Sequence, residues 1–136
     1  MLVQQASNWM AKPRIHILNS DTLAQLCAKS ALDKKALDLC ILHISELSSL
    51  TDYLVIATGT SDRHVQAIAE AVRIELKQQH DTVPLAIEGV NEGRWALIDY
   101  GDVMVHIFQE DVRTFYDLEG LWIEAPEIEV AEDITS

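Results

Sequence analysis

Cysteine is nearly absent: the 136 residues hold only Cys27 and Cys40, each among apolar neighbours and with no CxxC pair. A disulfide framework or a thiolate zinc site is therefore not expected, and both residues read as small buried hydrophobes in a reducing compartment. Long apolar runs are also missing, so no segment reaches the roughly 20 residues of a membrane span. Gln4, Gln5, Ser7 and Asn8 interrupt the start of the chain, and Lys12 and Arg14 follow, which is not the pattern of a signal peptide. A cytoplasmic protein is expected. Positive charge is scarce: 10 Lys and Arg face 22 Asp and Glu, a formal net charge of −12. That balance argues against direct nucleic-acid binding, because phosphate contacts need a basic face. The five histidines, His16, His43, His64, His80 and His106, show neither HxxxH nor HExxH spacing, and there is no P-loop or GxGxxG. No metal and no cofactor are expected.

The chain has the length of one compact domain, which should bury about 68% of its unfolded surface without covalent staples. Its charge is lopsided. Residues 1–80 balance 8 acids with 8 bases, whereas residues 81–136 carry 14 acids against Arg94 and Arg113 alone. An acidic surface maintains solubility in any case, and it also steers a basic partner towards the C-terminal half.

Residues 1–19 contain Pro13, show no sustained period and read as an extension. Ser20 and Asp21 offer a cap to a first helix carrying Leu23, Leu26, Cys27 and Ala31 at helical spacing. Leu39–Ile44 and Tyr53–Thr58 read as strands covered on both sides. Gly59-Thr60-Ser61 then opens a helix whose apolar stripe is Val65, Ile68, Ala69, Val72 and Leu76. Pro84–Glu88 gives a short strand. Arg94–Asp99 and Val103–Phe108 form a hairpin about Tyr100-Gly101-Asp102. Glu110–Glu119 is a final helix with Val112, Phe115 and Leu118 inward and Gly120 as its stop. Residues 123–136, with five acids, no base and Pro126, read as an acidic, disordered tail. The order predicts an α/β domain over 20–122, with a mixed sheet of about five strands and flanking helices.

The Gly59–Ser61 turn is the most enzyme-like feature, because helix N-termini hold anions. A nucleotide-dependent transferase would need carboxylates for Mg²⁺, and Ser61, Asp62, Asp99 and Asp102 are the residues available to it. Asp62 is followed by Arg63 and His64, so no DxD pair exists, and helix capping accounts for Ser61 and Asp62. An anion sensor at Ser61 is a further alternative. The aromatic residues say more. Trp95, Leu97 and Asp99 share one face of a strand, while Tyr116 and Asp117 lie off the apolar stripe of the last helix. Indole and phenol rings beside acids have the composition of an interface hot spot for a basic partner, and equally Trp95 and Trp122 could be buried anchors.

The ordered set Thr51-Asp52-Tyr53, Val55–Val65, Glu88-Gly89, Trp95, Asp99, Gly101-Asp102-Val103, Val105-His106 and Phe115–Glu119 resembles the ribosomal silencing factor family, also called Iojap or RsfS. The resemblance runs from about Asp21 to Trp122. It implies a nucleotidyltransferase-like fold without the catalytic carboxylates, no catalysis and usually a homodimer. It further implies binding to the fourteenth protein of the large ribosomal subunit at the intersubunit face, which blocks joining of the small subunit and represses translation. On that reading Trp95, Leu97, Tyr116 and Leu121 form an apolar centre, with Asp99, Asp117 and Glu119 as its acidic rim.

Overall fold

The computed structural model describes residues 18–132. The elements, in order, are α1 (Ser20–Asp33), β1 (Leu37–His43), β2 (Tyr53–Gly59), α2 (Asp62–His80), β3 (Ala86–Glu88), β4 (Trp95–Asp99), β5 (Val103–Gln109), α3 (Glu110–Tyr116), α4 (Leu118–Leu121) and β6 (Glu127–Ile128). They build one mixed sheet of six strands in the order β3-β4-β5-β2-β1-β6. Only β2 and β5 run parallel; every other pair is antiparallel.

Strand β2 sits near the middle of the sheet and is buried at all seven positions, as its unbroken apolar run predicts. Side-chain alternation divides the interior in two. Ile41, Val55, Ala57, Ala96, Ile98, Val105 and Ile107 face α1 and α2, which contribute Leu23, Leu26, Cys27, Val65, Ile68, Val72 and Leu76 to the same core. Leu42, Ile44, Leu54, Ile56 and Phe108 form a second cluster, against which Trp95, Met104, Val112, Leu118, Trp122 and Ala125 pack. Gly59 is required by close packing, because a Cβ there would lie 2.8 Å from Val65 Cγ2. Gly101 has φ +89° in the β4–β5 hairpin, the left-handed conformation that the turn demands.

The structure corrects several expectations. Of the extension over 1–19, residues 1–17 lie outside the described residues. Leu18 packs on the first core, and Asn19, rather than Ser20 or Asp21, caps α1 by accepting a hydrogen bond from Thr22 N at 3.0 Å. The last helix is two. Asp117, at φ 48°, stops α3, and its carboxylate accepts from Gly120 N to start α4, so Gly120 lies inside a helix instead of ending one. The tail expected to be disordered from residue 123 instead begins with a turn and a strand. Ile128 and Glu127 pair with Ile41 and Leu42, while the Gln25 side-chain amide donates to Glu129 O and accepts from Ala131 N, both at 2.8 Å. Pairing with the otherwise open edge of β1 satisfies backbone groups that composition alone cannot reveal.

Candidate protein interface

Alternation along β4 puts Trp95, Leu97 and Asp99 on the face opposite α1 and α2, with Ala96 and Ile98 buried beneath. Trp95 is half-buried. Its ring meets Phe108 at 4.9 Å and Tyr116 at 4.5 Å between centroids, and Phe115 meets Tyr116 edge-on at 5.0 Å. Arg94, Trp95, Asp111, Val112, Phe115 and Tyr116 line an open groove of about 480 Å³. Arg94 donates to Asp111 at 2.8 Å, and this hydrogen bond holds the Asp111 carboxyl below its usual range. Helical spacing predicts Phe115 inward, yet it is 79% exposed and forms one wall of the groove. The break at Asp117 ends the apolar stripe on which that expectation rested.

The other expected contact residues divide. Tyr116 is 51% exposed and Leu121 69% exposed, so both are available at the surface. Leu97 is half-buried on the same sheet face as Trp95 and opposes His106. Asp99 lies at the far end of β4, about 13 Å along the strand from Trp95. Its carboxylate accepts from Gly101 N at 2.8 Å and so serves the hairpin turn. Glu119 is not a free rim acid either: Arg113 reaches it at 2.6 Å. The same guanidinium donates to Thr58 Oγ1 at 2.8 Å, which ties α3 and α4 to the end of β2. Asp117 is exposed and caps α4. Trp122 packs on the second cluster as a partly buried anchor.

His106 carries no metal-site spacing in the sequence, and the structure gives it a defined place. It opposes Leu97 across β4 and β5, is 8% exposed, and its Nδ1 accepts the Trp95 indole N–H at 3.1 Å. Burial pushes its pKa down to about 4, so the ring is neutral near pH 7.

The enzyme-like alternatives lose their geometry. Ser61 and Asp62 follow the C-terminal end of β2, whereas Asp102 O accepts from Asp52 N and Tyr53 N at its start, roughly 20 Å away. No metal centre can span Ser61, Asp62, Asp99 and Asp102. At the Ser61 turn two of the backbone donors are already used: His64 N bonds Ser61 Oγ at 3.1 Å, and Thr60 N bonds His64 Nδ1 at 2.9 Å. His64 Nε2 therefore carries the proton and donates to Lys34 O at 2.8 Å. Gln109 donates to the Asp62 carboxylate. Among the described residues, no three His, Cys, Asp or Glu groups gather as a metal site, and no helix is long and apolar enough to cross a membrane.

These features define an α/β domain with one sheet face sealed by long helices and the other ending in a partly open aromatic surface. A family model described as "Ribosomal silencing factor during starvation" matches residues 17–136, and the chain belongs to this RsfS family. The match includes the C-terminal segment that the resemblance in sequence left out. The ribosomal silencing factor of Bacillus subtilis is 40% identical over 112 residues, covering 80% of this chain and 92% of that one. A mouse protein named for mitochondrial assembly of the ribosomal large subunit is 34% identical over 92 residues, covering 65% of this chain and 40% of its own length. The crystal structure of a Chromobacterium violaceum protein superposes with a TM-score of 0.75 at 33% identity, covering 88% of this chain and 98% of that one.

Proposed function

We propose that this silencing factor acts by binding rather than by catalysis, docking in the cytoplasm on the fourteenth protein of the large ribosomal subunit. Its bulk then occupies space at the intersubunit face that the small subunit needs, and translation is repressed. The observation that carries this reading is the aromatic groove of Trp95, Phe115 and Tyr116 on the partly open sheet face. Half-exposed aromatic rings on a rigid strand supply large contact area at little entropic cost, as binding hot spots do. Leu97 and Leu121 extend the apolar centre, and Asp117 is the acid best placed to meet a basic partner. The surplus of acids after residue 80 supports the same partner class, since it would speed association with a basic protein. The mouse relative's name, with its reference to the large subunit, points the same way. The factor is further proposed to be a homodimer, for which the exposed Leu85 and Ile87 beside the free edge of β3 offer a surface.

Sedimentation with isolated large and small subunits tests the reading. The protein should travel with large subunits and lower the yield of joined ribosomes in a purified mixture. Equal inhibition by an unrelated acidic protein of similar size would defeat it.

A further inference from the structure

His106 sits in the sheet face between Leu97 on β4 and Ile56 on β2, with Trp95 and Phe108 against its ring. The Trp95 indole N–H can only donate, so the ring nitrogen that receives it, Nδ1, must be unprotonated. The proton is thereby assigned to Nε2. Among the described residues Nε2 has no acceptor, and the side-chain atoms that are both buried and unpartnered are Thr51 Oγ1 and Tyr100 OH. Nε2 therefore keeps the residue's remaining exposure, on a sheet face that also carries Leu97 and Met104. A fixed donor in such a place is exposed to loss: if a partner covers it without supplying an acceptor, a buried N–H is left unpaired. A partner that does supply one gains a contact that unrelated apolar surfaces cannot make.

We propose that His106 is a specificity-determining residue of the partner face, its Nε2–H donating to a carbonyl oxygen of the docked protein while Trp95 holds the ring in the tautomer that can do so. The inference rests on the docking reading above and adds a polar contact to an otherwise apolar centre. Trp95 then has two tasks, one as a ring in the groove and one as the group that sets the histidine's proton.

Two substitutions separate the nitrogens. In His106→Asn the amide oxygen can take the place of Nδ1 and accept from Trp95, but nothing reaches the Nε2 position. In His106→Gln the amide reaches the Nε2 position and abandons Trp95. Affinity for purified large subunits and thermal unfolding would be measured for both variants and for the wild-type chain. His106→Asn should weaken binding roughly tenfold with little change in melting temperature, and His106→Gln should bind within about threefold of wild type while melting earlier. Unchanged binding by His106→Asn, or equal loss in both variants, would overturn the inference and leave the docking reading standing. Failure of the wild-type chain to bind would overturn both. Nuclear magnetic resonance of the wild-type protein carrying ¹⁵N-histidine gives a test free of folding effects. Nε2 should be protonated and Nδ1 bare in the free protein, and the Nε2 proton should exchange more slowly when the partner is bound; the opposite tautomer, or unchanged exchange, would overturn the inference.

Discussion

On one side of the sheet, α1 and α2 bring 14 and 19 residues and bury a continuous stripe of side chains, including Val65, Ile68, Val72 and Leu76. On the other side, α3 and α4 bring 7 and 4 residues, and neither helix fully buries any of them. Each fully buried aliphatic side chain stabilises by about 1.5–3 kcal/mol, so the first side holds most of the folding energy. The second side is fastened by partly buried Val112, Leu118 and Trp122 and by the Arg113 guanidinium. On the proposed docking reading, stability and recognition thus lie on opposite faces of the same strands. Residues adjacent in sequence, such as Trp95 and Ala96, serve different ends.

The largest expected effect tests the sealed side. Ile68→Ala removes a fully buried side chain on α2 and should cost about 2–5 kcal/mol of folding stability, read by denaturant unfolding. Partner affinity per folded molecule should be unchanged; a selective loss of binding would break the division.

Acid titration probes the open side. The His106 pKa falls from an ordinary value near 6.5 to about 4 on folding, so between these values the unfolded chain binds more protons. This contribution is complete above pH 6.5 and is lost as pH falls towards 4, amounting to about 3 kcal/mol at most. Unfolding free energy measured across this window should decline less steeply in His106→Asn than in wild type. Parallel slopes would refute the assignment.

Smaller effects should fall on binding. Tyr116→Ala should weaken attachment to large subunits by about 2 kcal/mol with little change in melting temperature, whereas half-buried Trp95→Ala should lose both binding and stability. Phe115→Ala is expected to follow Tyr116, because its exposed ring packs edge-on against that neighbour. If Tyr116→Ala melts much earlier yet binds normally, the open face is structural. The weakest effect belongs to Asp117→Asn, which keeps a residue that tolerates positive φ and still caps α4. Association should slow at low salt and recover its wild-type rate at high salt, as measured by stopped flow.

The sealed side was legible because its signals are local and periodic. The α2 stripe recurs every three or four residues, and its members are the helix's buried residues. The β4–β5 hairpin announced itself through alternation and Gly101. The open side was legible only in part. Trp95 and Tyr116 meet ring to ring, but Asp99 serves a turn and Glu119 an ion pair, and neither use shows in residue type. Phe115 kept helical spacing with Val112 and Leu118, and no glycine or proline marks the break at Asp117. The strand at Glu127–Ile128 is invisible to local pattern, since its partners Ile41 and Leu42 lie more than eighty residues earlier.

The strand order carries a consequence for the nascent chain. Strand β5 stands between β4 and β2, with β2 buried on both sides, although β5 follows both of them in sequence. Until residues 103–109 have emerged, β2 lacks its parallel neighbour and its apolar edge stays open, a state prone to mispairing. Many of the sheet's pairings join distant parts of the sequence, which slows folding. A truncated translation product ending before Val103 should therefore be recovered as a chaperone-bound or protease-sensitive fragment. The centre of the sheet closes only after about fifty residues beyond β2 have been added, so its most buried strand waits for its parallel neighbour.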